Sequence, residues 1–297
     1  MALSDKGAGD TGKQAGRLDD MRNCEDWSPS EQLRQVETAI AWQSARFPQV
    51  AASIGDALAG LLSARATWNR VESVDAFLDY QTRFAAEMDD RVKGAHLMAF
   101  YSHHLAIAAG AILLQTGLVA GLDPDDLAIG WEDASPASLG VPVDGARRFH
   151  FRLSRVLGTG DSAAAFHDGF VESLAPVVEA LQARTGLSPV AQWRLAGDGI
   201  AGAFLELGVA MTETERAMAL ALAIVEREGS PLASGNLRYE RIEAMVDGQP
   251  AAGIFRLRSG CCLYYRTPGG DVCDVCVLLD PETQKSRLRA RLEHAGG

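Results

Sequence analysis

Four of the chain's five cysteines fall between Cys261 and Cys276. They stand as Cys-Cys-x10-Cys-x2-Cys in the stretch SGCCLYYRTPGGDVCDVC, and three chemistries compete for that spacing. A disulfide fits worst, because a chain read as cytoplasmic keeps its thiols reduced and adjacent cysteines bridge each other only with strain. A structural zinc ion suits Cys273 and Cys276 but not the adjacent pair. Zinc motifs leave about two to four residues between paired ligands, and neighbours on a strand point to opposite faces. An iron–sulfur cluster is larger than one ion and takes soft thiolates from several directions, so adjacent cysteines serve it more readily. The cluster is the favoured reading. Spacing alone leaves open two irons against four, and which cysteine meets which iron.

The neighbours of the four thiols narrow what such a centre would touch. Arg256, Arg258 and Arg266 surround it, with no acidic residue between Phe255 and Gly270. They either attract an anionic substrate or donate to the cluster sulfurs, and the second role is favoured. Tyr264 and Tyr265 either line a substrate groove or, the favoured reading, pack against the rest of the chain. His103 and His104 on one helix would point about 100° apart and make poor partners for one ion; with His150 they are read as core or groove-lining groups. The stripe Lys285, Arg287, Arg289 and Arg291 is read as a solvated helix end, with docking of an acidic donor protein or a membrane surface as its alternative.

Positioning these residues requires a sizeable scaffold, and 297 residues with 47% hydrophobic and 23% charged supply an ordinary globular one. A net charge of −11 repels phosphate backbones, which argues against nucleic acid as a partner. Residues 1–25 carry no secretory signal and read as a disordered arm, with Cys24 a bystander. Leu97 to Leu122 is apolar and long enough to span a bilayer, but Ser102, His103, His104 and Gln115 interrupt it, so it reads as a buried helix. Ser28, Pro29 and Glu31 open a helix as a capping box. Further helices are predicted over about 49–65, 74–92 and 95–119, from Asp161 to Arg184, from Ser188, from Thr212, and from Pro281. Residues 127–143 suggest short strands and turns. AAGIFRLRSG reads as a strand feeding the cysteine loop, Pro268-Gly269-Gly270 as a tight turn, and VCVLL as a short strand. The expected fold is mainly α, an α-rich α+β class. It divides into the arm (1–25), a helical body (26–245) and a small C-terminal strand and loop module (246–297).

With these residues on view, CCLYYRTPGGDVCDVC resembles the C-terminal signature of ferric siderophore reductases of the FhuF type, whose hallmark is the same cysteine spacing around a [2Fe–2S] cluster. The resemblance covers about residues 254–276, including FRLRSG before the cysteine pair and LYYR after it. Upstream, LSPVAQWRLAGDGIAGAFLE is similar in kind to that family's helical body. Two departures stand out: Asp274-Val275 where the family often has Gly-Asp, and the continuation from Val277 to Gly297. The resemblance implies a [2Fe–2S] cluster on Cys261, Cys262, Cys273 and Cys276. It also implies cytoplasmic one-electron reduction of iron(III) in a siderophore, typically a hydroxamate, with release of iron(II). No Gly-x-Gly-x-x-Gly follows a predicted strand, so electrons would come from an external flavodoxin, ferredoxin or reductase. Peripheral contact with the inner membrane stays open. The alternative is a zinc-stabilised siderophore-binding or partner-docking protein without redox activity.

Overall fold

A computed structural model describes residues 27–55, 61–134 and 145–294. The reading of residues 1–25 as an arm, and of Cys24, lies outside them. Helix α1 (Pro29–Arg46) begins where its capping signature puts it: the Ser28 hydroxyl accepts from the Glu31 N–H, and the Glu31 carboxylate accepts from the Ser28 N–H.

The next stretch corrects an expectation. In place of a helix over 49–65, β1 (Ala51–Ile54) and β2 (Leu62–Ser63) precede a short α2 (Ala64–Trp68). Strand β1 pairs in parallel with β5 (Arg147–Leu153), which pairs antiparallel with β4 (Ala128–Asp133), and β4 pairs antiparallel with β2. The partner of Ala51 is His150, so nothing near AASI announces the pairing. A distant ladder overrides a weak local preference. The body expected to be helical therefore contains a four-stranded mixed sheet of order β1-β5-β4-β2.

The helix expected over 74–92 is also two pieces. Helix α3 (Val71–Gln81) stops, and α4 (Asp90–Thr116) starts afresh because the Asp89 carboxylate accepts from the Val92 N–H. Helix α4 ends at Gly117, whose φ of +74° makes the left-handed cap. Among the described residues it alone is long and apolar enough to cross a membrane, and 83% of its most apolar window is buried in the fold. It is the core helix the sequence suggested. A two-stranded ribbon of β3 (Val119–Ala120) and β6 (Val156–Leu157) follows it. Then come α5 (Ser162–Thr185), α6 (Pro189–Met211) and α7 (Thr214–Val225), with Asp161 and Ser188 as the expected caps of the first two.

The centre of the molecule is the crossing of α4 and α6. A Cβ on Gly199 would lie 2.3 Å from Ser102 Oγ and 3.0 Å from the His103 backbone nitrogen, so the helices approach this closely only with glycine there. Phe149 of β5 joins sheet to helices through edge-to-face contacts with Phe77 and Tyr101.

Beyond α7 lies the hairpin of β7 (Arg238–Val246) and β8 (Gln249–Leu257). Its two-residue loop, Asp247-Gly248, has φ of +49° and +76°, the left-handed pair that matches strand twist. Helix α8 (Pro281–His294) packs on the hairpin, burying Leu288 against Ile242 and Leu257. The short strand expected at VCVLL is absent; the Cys276 N–H bonds to the Cys273 carbonyl and the Leu279 N–H to the Cys276 carbonyl, a run of turns.

Candidate iron–sulfur site

One buried carboxylate fixes the entrance to the cysteine loop. Asp198, 1% exposed on α6, accepts from the Ser259 N–H at 2.8 Å, the Ser259 hydroxyl at 3.1 Å and the Gly260 N–H at 2.9 Å. It also pairs with Arg258 Nε at 3.5 Å. A buried anion is tolerable only when its lone pairs are met in this way. Leu263, with φ of +59°, turns the chain directly after the cysteine pair into a 3-10 turn, Tyr264–Arg266. Gly269, with φ of +73°, completes the predicted Pro-Gly turn as the Gly270 N–H bonds to the Thr267 carbonyl. The far limb is tied back through the Arg258 N–H to the Val275 carbonyl and through Gln284 Nε2 to the Cys276 carbonyl.

All four cysteines are free thiols; Cys276 is buried and the other three are half-buried. The Arg258 side chain, 13% exposed, donates toward Cys262 and Cys273. Cys262 is pushed down to about 5, chiefly by the hydrogen bond from Cys273, with Arg258 assisting against burial. Cys273 is held well above the ordinary thiol value because it donates that bond, and burial raises Cys261. Burial opposes the charge on Arg258, but the Cys262 thiolate and Asp198 outweigh it and hold its pKa above the ordinary range. Thiolate beside a fixed cation is the form in which cysteine binds metals.

The donor set fits a two-iron cluster. Among the described residues no three His, Cys, Asp or Glu side chains converge as a single-ion site requires. Four free thiols within one loop are the soft donors that an iron–sulfur cluster takes.

A cavity of about 390 Å³ opens between α4, α6 and the loop, with Cys262, Cys273, Arg258, Phe100, His96 and Tyr264 among its walls. That volume lies at the lower end of small-molecule sites, which span about 300–1,000 Å³. Not every residue the sequence singled out reaches it. Arg256 does, but it is half-buried and donates to the Asp198 carbonyl. Tyr264 stands at the rim, 38% exposed, while Tyr265, 43% exposed, lies outside the lining; neither packs into the body as expected. The chain turns outward there, and Arg266 follows it to pair with Asp89 at 2.7 Å.

Of the histidines, His103 and His104 line the cavity. His103 Nε2 stands 3.4 Å from Glu206, and burial pushes the His104 pKa well below its usual value. His150 is elsewhere, bonded to Ser53 Oγ at 2.8 Å. The basic stripe is not simply solvated: Lys285 pairs with Glu240, Arg287 donates to the Val272 carbonyl and Arg291 sits over the Phe255 ring, all of which hold α8 to the module.

Phe100 and Leu195 of the cavity wall were unread, being apolar helix positions like many others, and two polar residues also escaped sequence reasoning. Asp198 had a signal, being the one charge in the apolar run LAGDGIAGAFL. His96, whose Nδ1 is 2.6 Å from Gln81 Oε1, had none.

Soft donors gathered about a cation at the edge of a cavity point to a class, the proteins that carry an iron–sulfur centre. Within that class the match is specific: residues 258–278 fit the family model described as FhuF 2Fe-2S C-terminal domain, which indicates a [2Fe–2S] cluster in this segment. No curated protein matches the chain.

Proposed function

We propose that this protein is a cytoplasmic ferric siderophore reductase in which Cys261, Cys262, Cys273 and Cys276 hold a [2Fe–2S] cluster. The observation that carries the reading is the cavity walled by Cys262 and Cys273 inside the segment matched by the FhuF-type domain. Bound there, the cluster supplies a one-electron couple. The chain's own residues do the rest. Asp198 fixes Arg258, Arg258 offsets the negative charge of the thiolates, and Phe100, Leu195 and Tyr264 give the substrate an apolar wall. We assign residues 26–245 to the siderophore-binding body and 246–297 to the cluster module.

Charge favours a hydroxamate substrate. Three hydroxamate groups neutralise iron(III), whereas three catecholates leave the complex strongly anionic. Both cavity arginines are engaged, Arg258 by Asp198 and the thiols, Arg256 by the Asp198 carbonyl. The chain as a whole carries −11. A neutral complex meets less repulsion on approach to such a site. The electron comes from an external flavodoxin, ferredoxin or reductase.

The test starts from anaerobically purified protein. Two irons and two acid-labile sulfides per chain are expected, with a reduced spectrum of one unpaired electron. The dithionite-reduced protein should then be reoxidised by a ferric trihydroxamate, yielding one iron(II) per electron to a chelator trap, and more slowly by a ferric tris-catecholate. Zinc without sulfide, or a reduced cluster indifferent to ferric hydroxamates, would refute the reductase.

A further inference from the structure

His96 enters the cavity from α4, beside Ala99 and Phe100. Its ring is held on two sides. Nδ1 lies 2.6 Å from Gln81 Oε1, and the Phe84 ring lies against the imidazole with ring centres 4.7 Å apart. Gln81 is wholly buried, and its Nε2 donates to the Phe77 carbonyl at 3.0 Å. That bond fixes the amide. With Nε2 spent on a carbonyl, Oε1 is the atom that meets His96, and an amide oxygen can only accept. The proton of the imidazole therefore sits on Nδ1.

This tautomer leaves Nε2 with a lone pair directed away from Gln81, and among the described residues that nitrogen has no hydrogen-bond partner. The ring stays neutral, since burial lowers its pKa and Arg256 and Arg258 already bring two positive charges to the same cavity. The other polar groups there are engaged. Asp198 holds Arg258, the Asp198 carbonyl holds Arg256, and His103 Nε2 stands 3.4 Å from Glu206. Around His96 the walls are Ala99, Phe100 and Leu195. A ligand thus meets a fixed hydrogen-bond acceptor set in apolar surface.

Resting on the reductase reading above, we propose that His96 is a specificity residue whose Nε2 accepts a hydrogen bond from an N–H of the siderophore, so that the substrate is a trihydroxamate with aliphatic arms joined by secondary amides. In an N-alkyl hydroxamate bound to iron(III), every oxygen is on the metal or is a carbonyl, and the nitrogen carries no hydrogen. The iron-binding groups therefore offer no donor, and the N–H has to come from the linkers. The methylene segments between those amides suit Ala99, Phe100 and Leu195, while the amide meets His96. An ester-linked arm leaves Nε2 without its donor, the kind of loss by which a polar site rejects an analogue.

Gallium(III) has the charge of iron(III) and nearly its size but takes no electron from the protein, so its complexes read recognition apart from turnover. Calorimetric titration of the full-length, cluster-loaded protein should compare the gallium complex of an amide-linked linear trihydroxamate with that of its analogue methylated at the amide nitrogens. Wild type should bind the first about tenfold more tightly than the second. His96→Leu should lose that factor for the first complex and leave the second unchanged. His96→Gln, which keeps an acceptor, should restore part of it.

The comparison of the two ligands on wild-type protein needs no variant, so a misfolded His96→Leu does not remove the test. Equal affinity of wild type for the two complexes overturns the proposal. So does a His96→Leu protein that weakens both alike, the mark of a merely structural role. Wild-type protein that carries its iron and sulfide yet binds neither gallium complex removes the substrate reading and the role of His96 together. Wild-type protein that is reoxidised by a ferric trihydroxamate yet binds the two gallium complexes equally removes the role of His96 alone.

Discussion

Between α1 and α7 the chain closes on one continuous apolar core in which Phe149, Phe151, Phe166, Phe170 and Phe204 are wholly buried. From β7 to α8 the separate core is Ile242, Leu257 and Leu288, with a few half-buried neighbours. Hydrophobic burial accounts for the first region and falls short for the second, since so small a core contributes little. Besides Tyr239, Cys262 and Leu263, which pack against the body's core, polar attachments hold the module: Asp198 to Ser259 and Gly260, Tyr239 Oη to the Ala201 carbonyl at 2.7 Å, and Arg266 to Asp89. The difference teaches that the body is a prefabricated support and the cysteine loop a guest on it.

The sharpest way to break that relation is Asp198→Ala. It strands the largely covered Arg258 guanidinium and two backbone donors, at a cost of about 3–5 kcal/mol. Urea unfolding should show the loss, and iron content should fall with it. Asp198→Asn, which keeps an acceptor oxygen, should lose less. Phe204→Ala should cost the body a similar amount, about 3–5 kcal/mol, yet leave the cluster spectrum unchanged wherever the protein is folded. A changed spectrum would mean that body and loop are not separable.

Smaller effects should stay within the module. Leu288→Ala removes a third of its buried core and is expected near the lower end of such truncations, about 2 kcal/mol. It should appear as faster amide exchange in β7 and β8 with α4 and α6 still protected. Removing iron with a chelator under reducing conditions should raise exchange across residues 258–278 in the same selective manner. Uniform exchange throughout the chain would dissolve the distinction. The smallest change concerns Asp280, whose carboxylate caps α8 and is held below the usual carboxylate range by the Thr283 N–H. A depressed folded pKa means that its contribution is present at neutral pH and lost as pH falls through that value. Asp280→Ala should reproduce the acid fraying of α8 at neutral pH, read by circular dichroism.

What the sequence made legible follows the range of the forces involved. Capping at Ser28, Asp161 and Ser188 is local, and those helices begin where their caps say. The cysteine spacing carries its own chemistry and was readable without a fold. The Asp247-Gly248 hairpin was equally local, a two-residue Asp-Gly loop between strands, and its first strand β7 went unassigned although the signal was present. The pairing of Ala51 with His150 was not legible, because a ladder between segments so far apart leaves no mark on either. The two tyrosines were misplaced because composition says that an aromatic ring favours cover but not where the backbone turns. Asp198 lies between these cases: a lone charge in an apolar helix announces an obligation, and only the fold names Ser259, Gly260 and Arg258 as its partners.

The order of these partners along the chain gives the clamp a place in the life history of the protein. Asp198 and the α4–α6 crossing around it leave the ribosome before the first of the four cysteines does. Since early segments fold as units during synthesis, the docking point is finished while the thiols are still being translated. A cluster bound after synthesis therefore enters a loop whose entrance, Ser259 and Gly260 on Asp198, is already seated.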